Sequence, residues 1–296
     1  MSNPPDRGHI ATEQIHEETR SLDLLSTIEC VELLSSDHEQ AIRAVQDASN
    51  EIAAFVDALT PRLSAGGRLI YFGCGTSGRL GVLDAAECPP TFQSPPGMVV
   101  GLIAGGDESL RTSSEAKEDN PNGVVSEFDR IELNSQDTVL GIAAGGTTPW
   151  VLGGLEIAAA RGAMTGFLTC SGVTPKVEHL IYLQTGAEPL TGSTRLKAGT
   201  ATKLTLNIIT TTLFKNLGKI YGNMMVDLKA SNSKLLDRAI RIVSTICEID
   251  RPSARDVLTA SGGDVKAAIV MHKNKIDIAS AKQKLSAANG NLRNAL

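Results

Sequence analysis

Arg68-Leu-Ile-Tyr-Phe-Gly-Cys-Gly-Thr-Ser-Gly-Arg79, continuing as Leu80-Gly-Val-Leu-Asp-Ala-Ala-Glu87-Cys-Pro-Pro-Thr91, is the stretch that decides the fold. The apolar run Leu69 to Phe72 lies between Gly67 and Gly73 and reads as a buried strand, whereas Leu80, Val82, Leu83 and Ala86 recur at helical spacing. The chain must therefore turn from strand to helix across Gly73 to Gly78. Such a turn presents the unpaired N–H groups of a helix N-terminus. With the Thr76 and Ser77 hydroxyls beside them, and with Gly75 and Gly78 letting the backbone come close, these groups form a cradle for an anion. The same residues fit G-x-G-x-x-G, the dinucleotide fingerprint. A dinucleotide site wants a carboxylate at the end of the next strand, about 20 residues on. Here the next apolar run, Met98 to Ala104, ends in Gly105-Gly-Asp-Glu108, about 30 residues on. Paired hydroxyls suit a terminal phosphate better than a pyrophosphate bridge. A monophosphate is the leading reading, with a dinucleotide and a purely structural turn as the alternatives.

The composition bounds the rest. At 296 residues and 42% apolar content the chain is long enough for one large domain and a smaller appendage. A net charge of −5, and the absence of any run of four Lys/Arg, argue against nucleic-acid binding. No apolar stretch reaches the roughly 20 residues needed to span a bilayer, and the N-terminus has no apolar signal core, so a cytoplasmic protein is the simplest reading. The five cysteines (Cys30, Cys74, Cys88, Cys170 and Cys247) are scattered without C-x-x-C spacing, which indicates neither a disulfide framework nor a zinc site. No metal and no cofactor is expected. Cys74 either fills the turn or presents a thiol to alkylating agents.

The pattern is helical from Thr12 to about Leu63. From Arg68 to about Gln184, short apolar runs (Leu69 to Phe72, Met98 to Ala104, Thr138 to Ala144, Gly166 to Thr169 and Leu180 to Leu183) alternate with helical stretches. That alternation predicts an α/β fold, a five-stranded parallel sheet covered on both faces. From Lys197 onward the chain reads as helical to its end. Three segments follow: an N-terminal helical segment (1–60), a sheet domain (61–225) and a C-terminal helical subdomain (226–296). In the last, two short helices broken at Gly262-Gly263, with Asp264 as N-cap, resemble a ubiquitin-associated-type module and are read as a packing or dimerisation element.

Two further loops are rich in glycine and hydroxyls. One is Ala143-Ala-Gly-Gly-Thr-Thr-Pro-Trp150 after the third strand, with Gly146, Thr147 and Thr148 as candidate ligand contacts. The other is Thr191-Gly-Ser-Thr-Arg-Leu-Lys-Ala-Gly-Thr200, with Ser193, Arg195 and Lys197. Ligands of open α/β sheets bind outside the carboxyl ends of the strands, where such loops can converge. Three of them suit a sugar phosphate. Gly75-Thr-Ser-Gly-Arg-Leu80, Glu87-Cys-Pro-Pro-Thr91, Gly101-Leu-Ile-Ala-Gly-Gly106, Glu115-Ala-Lys-Glu-Asp119, the Thr191 to Thr200 loop and Gly222-Asn-Met-Met-Val-Asp227, in that order, make the chain resemble the N-acetylmuramic acid 6-phosphate etherases over nearly its whole length. Those enzymes have the sugar isomerase (SIS) fold and are similar to glucokinase regulatory protein.

The resemblance implies that Glu87 is the acid that protonates departing lactate and Glu118 the base. Glu115 becomes a candidate contact to a sugar hydroxyl or the N-acetyl group, and Arg195 and Lys197 candidates for the phosphate or the lactate carboxylate. Pro89, Pro90 and Phe92 would enclose Glu87. Glu188 is either a sugar contact or a surface residue, and none of the histidines neighbours a motif. In one loop the chain departs from the pattern: where bacterial etherases usually carry A-A-S-G-R-T-P-Y, Gly145 and Thr147 replace the serine and arginine. Two other functions fit the same loops, a non-catalytic sugar-phosphate sensor and an aldose–ketose isomerase. A sensor of the glucokinase-regulatory type carries two SIS domains, and an isomerase needs no acid at C3. Finally, an unbroken helix from Ser77 to Glu87 would hold the acid about 15 Å from the cradle. Unless Cys88-Pro-Pro90 folds the segment back, that distance predicts a two-fold homodimer with shared sites, which the resemblance also implies.

Overall fold

The computed structural model describes residues 6–113, 117–228 and 232–296. The chain forms two compact units, Met1–Ala86 with Gly97–Thr210, and Glu87–Pro96 with Thr211–Leu296. In the first, α1 (Thr27–Asp37), α2 (Glu39–Asp47) and α3 (Ser49–Ser64) precede the alternating part of the chain. That part runs β1 (Leu69–Gly73), α4 (Gly75–Phe92), β2 (Val99–Ile103), α5 (Val125–Arg130), β3 (Thr138–Ile142), α6 (Pro149–Ala160), β4 (Met164–Thr169), β5 (His179–Tyr182) and α7 (Lys197–Asn216). The five strands form one all-parallel sheet in the order β2-β1-β3-β4-β5. The α/β fold class with its five-stranded parallel sheet is therefore as expected, and each strand falls on one of the five apolar runs. Strands β1, β3 and β4 are buried along their whole length, which explains why they read as continuous apolar runs rather than alternating ones.

Side chains on both faces lock the sheet. Phe72 meets Phe128 edge-on at 5.5 Å and Trp150 at 5.8 Å on one face. Phe55 of α3 lies over Gly166 of β4 and meets the His179 ring at 5.8 Å. Asp84 of α4 accepts from Tyr71 of β1 (3.1 Å) and Thr210 of α7 (3.2 Å). Gly78 is fixed by space, because a Cβ there would stand 2.5 Å from the Gly73 carbonyl oxygen and 2.7 Å from Ile103. Glycine lets the first turn of α4 lie directly on the ends of β1 and β2.

In the N-terminal segment the helical pattern expected from Thr12 onward begins as 3-10 turns rather than α-helix. Ala11–Glu13, Glu17–Thr19 and Leu22–Leu24 are isolated 3-10 turns. The first α-helix waits for Ser26, whose side chain accepts the Glu29 N–H while Glu29 reaches back to the Ser26 N–H. This reciprocal capping box sets the start that apolar spacing alone placed too early.

In the second unit a two-stranded hairpin, β6 (Ile220–Tyr221) and β7 (Met224–Met225), precedes α8 (Ser233–Cys247), α9 (Arg251–Ala260), α10 (Val265–Asn274), α11 (Ile278–Ala287) and α12 (Leu292–Ala295). The hairpin corrects the reading of this region as helical throughout. The break at Gly262-Gly263 is present, and Asp264 caps α10 by accepting the Ala267 N–H at 2.9 Å. At the centre, the Lys266 ammonium is buried and donates to the Gly218 carbonyl (2.9 Å), Asp227 Oδ2 (2.8 Å) and the Gly290 carbonyl (2.6 Å). All three ammonium donors are thus used. One lysine ties together the end of α7, the segment after the hairpin and the turn before α12.

Candidate active site

The strand order reverses between β1 and β3, the place where an open α/β sheet leaves a crevice at its carboxyl edge. Gly73 and Ile142 are paired across these strands, so the loops that follow them start side by side. From Gly73 the chain enters α4 directly, with Gly75 exposed and Thr76 and Ser77 half-buried at the helix N-terminus. From Ile142 it passes through Ala143 to Thr148 into α6, with Pro149 in the first turn, where a missing N–H costs nothing. Thr147 and Thr148 are half-buried. Gly146 has φ +75° and would drive a Cβ into Val173, so only glycine completes this loop.

The third loop reaches the first. A Cβ on Gly199, in the first turn of α7, would lie 3.5 Å from the Thr76 methyl. Ser193 is half-buried and Arg195 exposed. Lys197 is buried, and its ammonium donates to Asp37 Oδ1 at 2.8 Å, where His16 Nε2 also bonds at 3.0 Å. His16, Asp37 and Lys197 line a cavity of about 510 Å³ together with Gly186 and Ala187. No local spacing signals this cluster, since Asp37 and Lys197 are 160 residues apart. The α7 N-terminus already holds an anion of the protein's own: the fully buried Glu188 accepts the Lys197 and Ala198 N–H groups, each at 2.9 Å. Glu188 is thus not a surface residue. Burial raises its pKa, against the lowering effect of those two backbone bonds and of Lys197.

Glu118 enters this region through its main chain, its carbonyl accepting the Trp150 N–H at 2.9 Å in the first turn of α6. Its carboxylate is exposed. Burial above all, and then the charges of Glu118 and Asp119, push the Cys74 thiol up to about 12. Cys74 is accordingly a turn residue with no appreciable thiolate at neutral pH. Glu115 lies outside the described residues.

Glu87 is exposed on α4. The apolar enclosure expected from Phe92 is not built around it, because Phe92 stacks on Phe214 at 4.5 Å. The helix runs unbroken from Gly75 to Phe92 with Pro89 and Pro90 inside it, so the axial separation of Ser77 from Glu87 is about 15 Å by helix geometry.

If the cradle holds phosphate, Ser77→Ala and Thr76→Val each remove a hydroxyl donor to an anion. Each is expected to raise KM for the phosphorylated sugar by roughly 10- to 150-fold, the equivalent of about 1.5–3 kcal/mol. Unchanged affinity in both folded variants would move the phosphate to another loop.

Residues 51–159 match the family model of the glucokinase regulatory protein N-terminal SIS domain, and residues 222–267 match the model of that protein's C-terminal lid domain. Sheet order, glycine cradle and model agree on an SIS-type domain. The chain is 47% identical over 299 residues to the N-acetylmuramic acid 6-phosphate etherase of Crocosphaera subtropica, covering 100% of this chain and 98% of that one. Against the enzyme of the same name from Trichormus variabilis it is 48% identical over 100% and 97% of the two chains. The Thermosynechococcus vestitus enzyme is 50% identical, with 90% and 88% covered. The chain belongs to the N-acetylmuramic acid 6-phosphate etherase family.

Proposed function

We propose that the protein cleaves the D-lactyl ether of N-acetylmuramic acid 6-phosphate, a carbon–oxygen lyase reaction of cell-wall amino sugar catabolism in the cytoplasm. The observation that carries this is the 46–50% identity to etherases across the chain. The convergence of hydroxyl-bearing loops beside Glu118 suits the chemistry. In the ring-opened sugar the C1 aldehyde acidifies the C2 proton, and the ether at C3 lies β to the carbonyl. The Glu118 carboxylate takes the C2 proton, and the electron pair forms the C2–C3 double bond as the C3–O bond breaks. Protonated Glu87 gives its proton to the departing lactate oxygen. Water then adds at C3 of the unsaturated aldehyde, with a proton returned to C2, giving N-acetylglucosamine 6-phosphate. Gly75 to Gly78 hold the phosphate through α4 N–H groups and hydroxyls, while Gly146 to Thr148, Ser193, Arg195 and Glu115 contact the rest of the substrate. Lys197, held by Asp37, supports the α7 end of the site. Incubation of purified protein with N-acetylmuramic acid 6-phosphate and assay of D-lactate tests the reading, and no lactate would overturn it.

The unbroken α4 supports a homodimer in which each acid serves the partner's cradle, because the C3 ether oxygen lies nearer than about 15 Å to its own phosphate. So does α1, which buries no residue completely and leaves Ile28 and Val31 exposed at 62% and 54%. Mixing Glu87→Gln with a Ser77→Trp variant, each inactive alone, is expected to restore up to one working site in two. Absence of recovery, with subunit exchange demonstrated, would put cradle and acid in the same chain.

A further inference from the structure

Thr12 is fully buried, yet its hydroxyl has no hydrogen-bond partner among the described residues. An unpaired buried hydroxyl costs stability, and its retention in a folded protein calls for a reason. Its position supplies one. The Thr12 carbonyl accepts the Gly192 N–H at 3.1 Å, and the Glu13 carboxylate lies where a Cβ on Gly192 would stand 2.9 Å from it. Ile10, buried beside them, anchors the other end of the turn. Residues 10–13 are thereby fixed against the hydroxyl-rich loop before α7. On its other side Thr12 meets the loop after β3: a Cβ built on Gly145 has the Thr12 hydroxyl oxygen, at 3.9 Å, as its sole neighbour within 4 Å. Apart from its chain neighbours that Cβ meets nothing nearer, Gly145 is half-buried, and the Thr12 hydroxyl beside it is unpaired. A serine at 145, the residue of the resembled pattern, would carry its own hydroxyl into this space; glycine leaves the space to a ligand.

We propose that Thr12 is a specificity-determining residue, whose hydroxyl hydrogen-bonds an oxygen of the bound sugar phosphate across the bare backbone of Gly145. This rests on the reading of the crevice as a sugar-phosphate site. It adds the N-terminal segment to that site and gives this chain a donor where its loop lacks the serine. Contact requires a small displacement of the Gly145 peptide, which no side chain at that position resists.

The isosteric Thr12→Val and the hydroxyl-retaining Thr12→Ser separate a binding role from a structural one. Thr12→Val removes an unpaired polar atom from the interior, so its Tm without ligand is expected to equal or exceed that of the wild type. Its Kd for N-acetylglucosamine 6-phosphate, measured by calorimetry, is expected to rise roughly 10-fold or more, with Thr12→Ser near wild type. An unchanged Kd in Thr12→Val overturns the proposal. So does a fall in Tm confined to Thr12→Val, which would mean that the hydroxyl has a partner within the protein. A wild type that binds this sugar phosphate but releases no lactate from N-acetylmuramic acid 6-phosphate sinks the etherase reading, and the Thr12 comparison still stands on binding alone. A wild type that binds no sugar phosphate overturns both.

Discussion

Glu87→Gln is expected to stop lactate release while the C2 proton of the substrate still exchanges with solvent deuterium, because the base is intact. Glu118→Gln is expected to lose both. The asymmetry follows from the order of events: proton removal at C2 needs only the base and the aldehyde, whereas breaking the C3–O bond also needs a proton for the leaving oxygen. General acid–base catalysis contributes about 10²–10⁴ in rate per group, so each substitution should cost at least that in lactate formation. Exchange followed by NMR separates the two steps. Glu118→Gln exchanging at the wild-type rate would refute the assignment of the base, and Glu87→Gln releasing lactate normally would refute that of the acid. In both, the thermal midpoint should stay near wild type, since both residues are exposed.

The largest effect on stability is expected at Lys266. Its side chain is 7% exposed and its ammonium shares Asp227 Oδ2 with Lys219, whose side chain is 25% exposed and whose ammonium stands at the same 2.8 Å. Burial lowers the Lys266 pKa, and its bond to Asp227 opposes that shift. Lys266→Ala leaves the Gly218 and Gly290 carbonyls without this donor and weakens the pairing of Asp227. The expected cost is about 3–5 kcal/mol, as for breaking other buried pairs. Lys219→Ala removes a more solvated partner of the same oxygen and should cost about 1 kcal/mol or less. Urea denaturation of the two variants makes the comparison, and equal losses would show that burial does not set the strength of this pair.

The sheet was legible in the sequence because each strand is a short apolar run between turn residues, and because the parallel arrangement buries both faces. The Gly75 to Gly78 turn was legible for the same local reason. What escaped depends on contacts distant in sequence or on signals read too coarsely. The 3-10 turns before Ser26 carry apolar residues at nearly helical spacing, and only the capping box at Ser26 and Glu29 shows where the helix begins. The hairpin at Ile220 to Met225 did carry a local cue, Gly222-Asn223 between two-residue strands, but strands that short contribute no periodicity. The meeting of His16, Asp37 and Lys197, and of Thr12 with Gly145 and Gly192, had no sequence cue. Lys197 lies 160 residues from Asp37, Gly145 and Gly192 lie farther from the turn that holds Thr12 than the 21 residues between His16 and Asp37, and only the packed chain brings them together. Glu188 stayed open between a sugar contact and a surface residue because its partners are backbone N–H groups, which any sequence provides.

The continuity of α4 also bears on how the gene can change. The proposed cradle and the proposed acid lie on one rod, ten residues apart, so a single-codon insertion between Arg79 and Ala86 would turn Glu87 through about 100° and advance it about 1.5 Å. No loop lies within Gly75–Phe92 to absorb the error. Substitutions that spare positions such as Gly78 and Asp84 can accumulate along this helix, but on this proposal length changes cannot, and insertions or deletions across these codons would record whether the acid was still in use.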